Sequence, residues 1–142
     1  MNHDGYDPDF IRDILTRTES IAMVGASPNP ARPSNGVLRF LLAKGYEVIP
    51  VNPGHAGKAI HGRTVIASLA DLDRPVDMVD VFRAADRLSS VVEDVLAMRH
   101  RPRVIWAQLG VRDAGAARRA EAAGISMIMD RCPAIEYRRL IG

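Results

Sequence analysis

The sequence predicts an α/β domain in three layers: a mostly parallel sheet of five or six strands with helices on both faces. Two observations predict it. Short apolar runs rich in Val, Ile and Met alternate with longer stretches whose apolar residues recur at helical spacing, the order produced when helical crossovers join parallel strands. The short runs are also nearly continuous in apolar character, so the sheet they form is covered on both sides.

The elements follow in order. Pro8–Thr18 reads as an opening helix with Phe10, Ile11, Ile14 and Leu15 facing inward and Asp7 placed as its cap. Ser20–Gly25 is a buried strand. A helix starting near Pro33 or Ser34 carries Val37, Leu38, Leu41 and Leu42 on one face, and Glu47–Val51 is the second strand. Between Pro53 and Pro75 the periodicity is poor; Thr64–Ile66 has the character of a minor strand and Ser68–Leu72 that of a helical turn. Val76–Phe82 is the third main strand. Leu88, Val91, Val92, Val95 and Leu96 then make a helical stripe. Arg103–Gln108 is the fourth strand, Ala116, Ala117, Ala120 and Ala123 a thin alanine face, and Ile125–Asp130 the fifth strand, with a last helix behind it. Gly45 and Gly124 each stand between a helix and a strand, where a C-terminal cap belongs.

Composition narrows the function. With 142 residues, 47% hydrophobic and 25% charged, residues 1–142 are expected to form one folded domain. The lone cysteine, Cys132, excludes a disulfide scaffold and fits a reducing cytoplasm. No apolar run approaches the length of a membrane span, and the polar N-terminus does not read as a signal peptide. The formal charge is +2, with Lys44 and Lys58 the only lysines. Three Phe, three Tyr and one Trp are too few for a base-stacking nucleic-acid surface. The four histidines show no metal-ligand spacing.

The chemistry is expected at the carboxyl ends of the strands, where open α/β sheets bind ligands. After the first strand, Gly25-Ala26-Ser27 leads through a proline-containing loop to a helix, offering backbone N–H groups, a helix N-terminus, the Ser27 and Ser34 hydroxyls and the Arg32 charge to a phosphate. The alternative is a plain turn with Ser34 as helix cap. The dinucleotide pattern G-x-G-x-x-G is absent, and the second strand ends in Asn52-Pro53 where a nicotinamide-dinucleotide site carries an acid for the ribose. A phosphorylated ribose with Lys58 nearby fits that neutral end better. Arg83, Gln108 and Gly110 close the third and fourth strands. Cys132 is read as structural, with a reactive thiol as the alternative.

Together VGAS (24–27), Arg32-x-Ser34, GYEVIPVNP (45–53), Gly62, SLADL (68–72), VDMVDVFR (76–83), VIWAQLGV (104–111) and MDRCPAIE (129–136) resemble the small bacterial CoA-binding proteins. Their Rossmann-like fold is that of the CoA-binding domain opening the α subunit of succinyl-CoA synthetase. The resemblance implies that Gly25, Ala26 and Ser27, with Arg32 and Ser34, hold the CoA diphosphate. It implies that Asn52, Pro53 and Lys58 face adenine and ribose, and that Phe82, Arg83, Gln108 and Gly110 line the pantetheine arm. Relatives carry a lysine soon after the Asn-Pro pair; here Gly54-His55-Ala56-Gly57 intervenes. The resemblance implies a stand-alone, non-catalytic or regulatory binder of coenzyme A or acyl-CoA, without the second domain on which the ligases depend. Its partner is a small CoA thioester, with no nucleic acid and no membrane; a protein partner, and a monomer or homodimer, stay open. Two other readings stay open on the same fold: an NAD(P)-dependent oxidoreductase and an interaction module without a ligand.

Overall fold

The computed structural model describes all 142 residues. Helix α1 (Pro8–Arg17) leads into β1 (Ser20–Val24), α2 (Pro33–Ala43) and β2 (Glu47–Val51). A small antiparallel hairpin, β3 (Ala59–Ile60) and β4 (Arg63–Thr64), follows. The chain then returns through β5 (Met78–Val81), α3 (Leu88–Leu96), β6 (Val104–Ala107), α4 (Ala114–Ala122), β7 (Ser126–Ile128) and α5 (Pro133–Leu140). The main sheet has five parallel strands in the order β2-β1-β5-β6-β7. The chain steps from β1 outward to β2 and comes back on the other side of β1 as β5. The switch point, where a doubly wound sheet opens a crevice, therefore lies between β1 and β5.

Successive strand residues point to opposite faces, and the core divides accordingly. Met23, Met78, Trp106 and Ile128 pack with Ile11, Leu38 and Leu41 on the side of α1, α2 and α5. Val24, Val79, Val81, Ile105 and Met127 pack with Leu88, Val92, Ala117 and Ala120 on the side of α3 and α4. The three-layer α/β architecture expected of the sequence is thus present. No helix is long and apolar enough to cross a membrane.

Local expectations mostly hold. Asp7 caps α1, its side chain accepting from the Asp9 N–H at 2.8 Å. Gly45 and Gly124, just past α2 and α4, take positive φ. Pro50 lies in an edge strand. Its carbonyl, and hence its missing N–H, faces outward, where the carbonyl accepts from Ile66 N at 3.0 Å, so the bonds to β1 are intact.

Two expectations change. Thr64–Ile66 is not one strand: Thr64 closes the hairpin, while Ile66 makes a single parallel bridge to Val51. The last strand stops at Ile128 instead of reaching Asp130, because Asp130 adopts a left-handed backbone (φ 58) that ends extended pairing.

Candidate functional site

The turn after β1 is built around contact between backbones. Gly25 N–H donates to Val51 O at 2.9 Å and Phe82 N–H to Val24 O at 2.8 Å, joining the ends of β1, β2 and β5. Gly25 has φ +87, and a Cβ there would stand 2.2 Å from the Phe82 carbonyl oxygen. The glycine read from sequence as room for a phosphate is required first by Phe82.

Side chains then pin the next two residues. Asn52 Nδ2 donates to Ala26 O at 2.9 Å, and Asn52 Oδ1 accepts from Gly54 N–H at 3.0 Å. Asn35 Nδ2 donates to Ser27 O at 3.0 Å. Ser34 Oγ accepts from Ser27 N–H at 3.1 Å. Ser34 is therefore not the cap of α2; Arg32 is, without a side-chain bond. Asn35 Oδ1 is in turn 2.9 Å from His61 Nε2. Because the Asn35 amide nitrogen is the donor to Ser27, its oxygen accepts and Nε2 of His61 is the donor. His61 is itself in the left-handed region (φ 49), at the tip of the β3–β4 hairpin.

This network decides what the turn can offer an anion. Gly25 and Ser27 have their N–H groups committed, to Val51 and Ser34. The N–H groups of Ala26 and Ser34 make no hydrogen bond within the chain, and Ser27 Oγ accepts from Asn29 N–H at 3.1 Å, leaving its proton to donate outward. Arg32 is exposed with no ion pair. Ala26 is fully buried and Ser34 only 3% exposed, so those two N–H groups lie unbonded beneath the surface, and the turn itself presents one hydroxyl and a guanidinium.

The other residues singled out in the sequence fall around the same edge, in unequal roles. Pro53 and Arg83 line a cavity of about 570 Å³ at the ends of β1, β2 and β5, floored by Val24, Val51 and Leu69. Arg83 runs its stem along the turn, its Cδ 3.4 Å from where a Gly25 Cβ would be. Phe82 faces the opposite side of the sheet, against the α1–α2–α5 core. Gln108 Oε1 is buried without a partner beyond β6, and Gly110 N–H donates to Asp130 Oδ1 at 2.7 Å. Lys58 stands apart from the cavity, exposed, its Nζ 3.2 Å from His55 Nδ1. Cys132 is 6% exposed at the start of α5, and Trp106 is fully buried, its indole N–H donating to Arg131 O at 2.9 Å.

Another cavity, of about 520 Å³, runs along the outer edge of β2. It lies away from the switch point, and its Arg74 is paired with Glu47 at 2.8 Å, whereas Arg83 has no carboxylate partner.

A family profile described as CoA binding domain matches residues 19–138, from the start of β1 into α5. The chain belongs to the CoA binding domain family. This CoA-binding domain is 38% identical over 122 residues to the uncharacterised protein YneT of Bacillus subtilis, covering 86% of this chain and 87% of that protein. A solved structure from Thermus thermophilus is 38% identical, with a TM-score of 0.89 over 96% of this chain and 100% of its own. A hypothetical protein of Pyrococcus horikoshii OT3 is 35% identical, with a TM-score of 0.90 over 100% of this chain and 97% of its own. Membership and the doubly wound fold support a role in binding CoA or a nucleotide.

Sequence reasoning missed Asn35, which bonds to the turn across 8 residues, and His61, which bonds to Asn35 across 26; neither spacing leaves a periodic signal. It also left out Arg87, which lines the same cavity as Arg83. Asp80 was visible as an acid inside the apolar run of β5. It is completely buried, paired in register between Met23 and Trp106, and neither carboxyl oxygen has a partner. Burial pushes its pKa well above the usual carboxylate range, favouring the protonated form.

Proposed function

We propose that this CoA-binding domain is a stand-alone cytoplasmic binder of coenzyme A or an acyl-CoA, holding the ligand without transforming it. The observation that carries this reading is the roughly 570 Å³ cavity opening beside the turn at the switch point, with arginines unpaired on its wall. The Ser27 hydroxyl and Arg32 take the diphosphate, aided by the positive end of α2. Adenosine enters the cavity between Pro53 and the Arg83 stem. The pantetheine arm leaves across Phe82, Gln108 and Gly110, whose polar edge meets its amides. Gly25 and Asn52 act by shaping the turn that the phosphates meet.

Calorimetric titration tests it. CoA, acetyl-CoA or succinyl-CoA binds in the micromolar range, and NADPH does not. No heat with any CoA species overturns the reading, and tight NADPH binding favours an oxidoreductase on the same fold.

A further inference from the structure

Ahead of α1, residues 3–6 cross to the far edge of the sheet and tie down two of its loops. The Tyr6 hydroxyl accepts from the Met129 N–H at 2.8 Å, just past the edge strand β7. The Tyr6 ring lies 5.0 Å from the Arg131 guanidinium, within cation–π range. His3 anchors the segment on α4, its Nε2 2.7 Å from Glu121 Oε1 and its Nδ1 2.7 Å from the Tyr6 hydroxyl. A carboxylate only accepts, so Nε2 carries a proton; in the neutral ring Nδ1 then takes the Tyr6 proton. Asp4 pairs with Arg112 at 3.2 Å, an exposed pair of small energy. Tyr6, half-buried, is the stronger tether.

The loops held in this way lead to the ligand edge. Asp130, between the two residues that Tyr6 holds, accepts from the Gly110 N–H at 2.7 Å. Asp130 has a left-handed backbone (φ 58), which persists in a non-glycine residue only where the surroundings hold it. The Asp113 N–H reaches the Met129 sulfur at 3.3 Å, so the loop after β6 and the loop after β7 are joined twice. We infer that residues 3–6 are a strap that sets the position of the Gly110 edge, with Tyr6 as its positioning residue. Tyr6 fixes Met129 and Arg131, these aim the Asp130 carboxylate, and the carboxylate holds Gly110 where the pantetheine arm leaves. The inference rests on the CoA reading above and adds to it a segment that lies ahead of the family-matched residues 19–138. An edge held in advance lowers the ordering cost of binding. By linkage, an arm bound at that edge steadies the strap in return.

The test is titration of the wild-type chain, Tyr6→Leu and Asp130→Gly with two ligands. One is CoA; the other is adenosine 3′-phosphate 5′-diphosphate, the portion of CoA that ends before the pantetheine arm. Tyr6→Leu is expected to weaken CoA about tenfold and to leave the shorter ligand unchanged. Asp130→Gly keeps the left-handed backbone accessible and removes the carboxylate. It gives the same selective loss, and adding Tyr6→Leu to it costs nothing further. A loss shared equally by both ligands, or no loss with either, overturns the inference, because a merely stabilising strap does not distinguish them. A second measurement needs no variant to fold: in the wild type CoA slows amide hydrogen exchange at Met129, and the shorter ligand does not. Equal exchange at Met129 with both ligands overturns the inference while CoA binding stands. Failure of CoA itself to bind overturns the CoA reading as well.

Discussion

The Phe82 carbonyl oxygen occupies the space where a side chain at residue 25 would begin: a Cβ on Gly25 would stand 2.2 Å from it, with the Phe82 carbonyl carbon at 2.8 Å. Both atoms belong to backbone at the end of a central strand, and Gly25 is held from the other side by Val51. Neither partner can give way without parting β1 from β5 or β2. Gly25→Ala therefore adds a backbone clash to the cost of a left-handed alanine, together roughly 3 kcal/mol or more. Chemical denaturation reads the loss; a variant as stable as the wild type would show that the turn can relax.

Asn52 offers a second test, because its amide connects two turns that both belong to the site. Asn52→Ala frees the Ala26 carbonyl and the Gly54 N–H together. Leaving the Ala26 carbonyl unpaired costs about 1–3 kcal/mol, and the turn that carries the Ser27 hydroxyl loses an anchor. Thermal unfolding and CoA titration of the same variant are expected to fall together. A loss of affinity with no loss of stability would place Asn52 on the ligand instead of behind the turn.

The fold was legible in the sequence where burial on both faces leaves a simple signature. Val79 and Val81 pack on one layer, Met78 on the other, so the third main strand reads as a continuous apolar run, and Leu88 to Leu96 reads as a helix because its buried face repeats. The Thr64–Ile66 segment was less legible because its two ends pair with different partners over very short lengths. At the site, glycine and serine types after β1 were visible, but their hydrogen bonds were not. Ser34 looks like a helix cap in sequence, and only the three-dimensional return of the chain shows its hydroxyl accepting from Ser27. Lys58 and Arg83 look equally available as cations, until the hairpin carries one away from the cavity and β5 delivers the other to it.

The buried acid in β5 makes stability depend on pH in a direction opposite to that of a paired carboxylate. The folded chain keeps the Asp80 proton to a pH well above the ordinary range, whereas the unfolded chain loses it near pH 4. Between those values the folded state binds more protons, so this group's contribution to stability falls as pH rises, by up to about 1.4 kcal/mol per pH unit. Asp80→Asn removes that slope. Its stability relative to wild type is expected to rise as the pH is raised above about 4 in urea titrations. A constant difference across that range would mean that Asp80 finds a compensating partner.

Tyr46 supplies a separate prediction on the far side of the molecule. Its hydroxyl donates to the Leu15 carbonyl in the last turn of α1. Burial, with a smaller effect of Tyr137, pushes its pKa up to about 12. Tyr46→Phe leaves that carbonyl unpaired and lowers stability by about 1–2 kcal/mol at neutral pH. In the wild type the unfolded chain ionises near pH 10 and the folded chain does not, so the tyrosine's contribution declines from there toward pH 12. Denaturation at pH 7 and pH 11 checks both statements, the gap between wild type and variant narrowing at the higher pH.

Cys132 is the remaining group to which sequence gave two roles. Its sulfur is almost wholly covered, among residues of the α1–α2–α5 core. Thiol exchange requires a sulfur that an incoming disulfide can reach, and in the folded state this one is covered. Oxidised CoA is therefore expected to leave Cys132 unmodified in the native chain, as read by intact mass, while denaturant exposes it to rapid modification. Formation of a mixed disulfide under native conditions, at a rate matching that of the unfolded chain, would show that the start of α5 opens and would make Cys132 part of the ligand site.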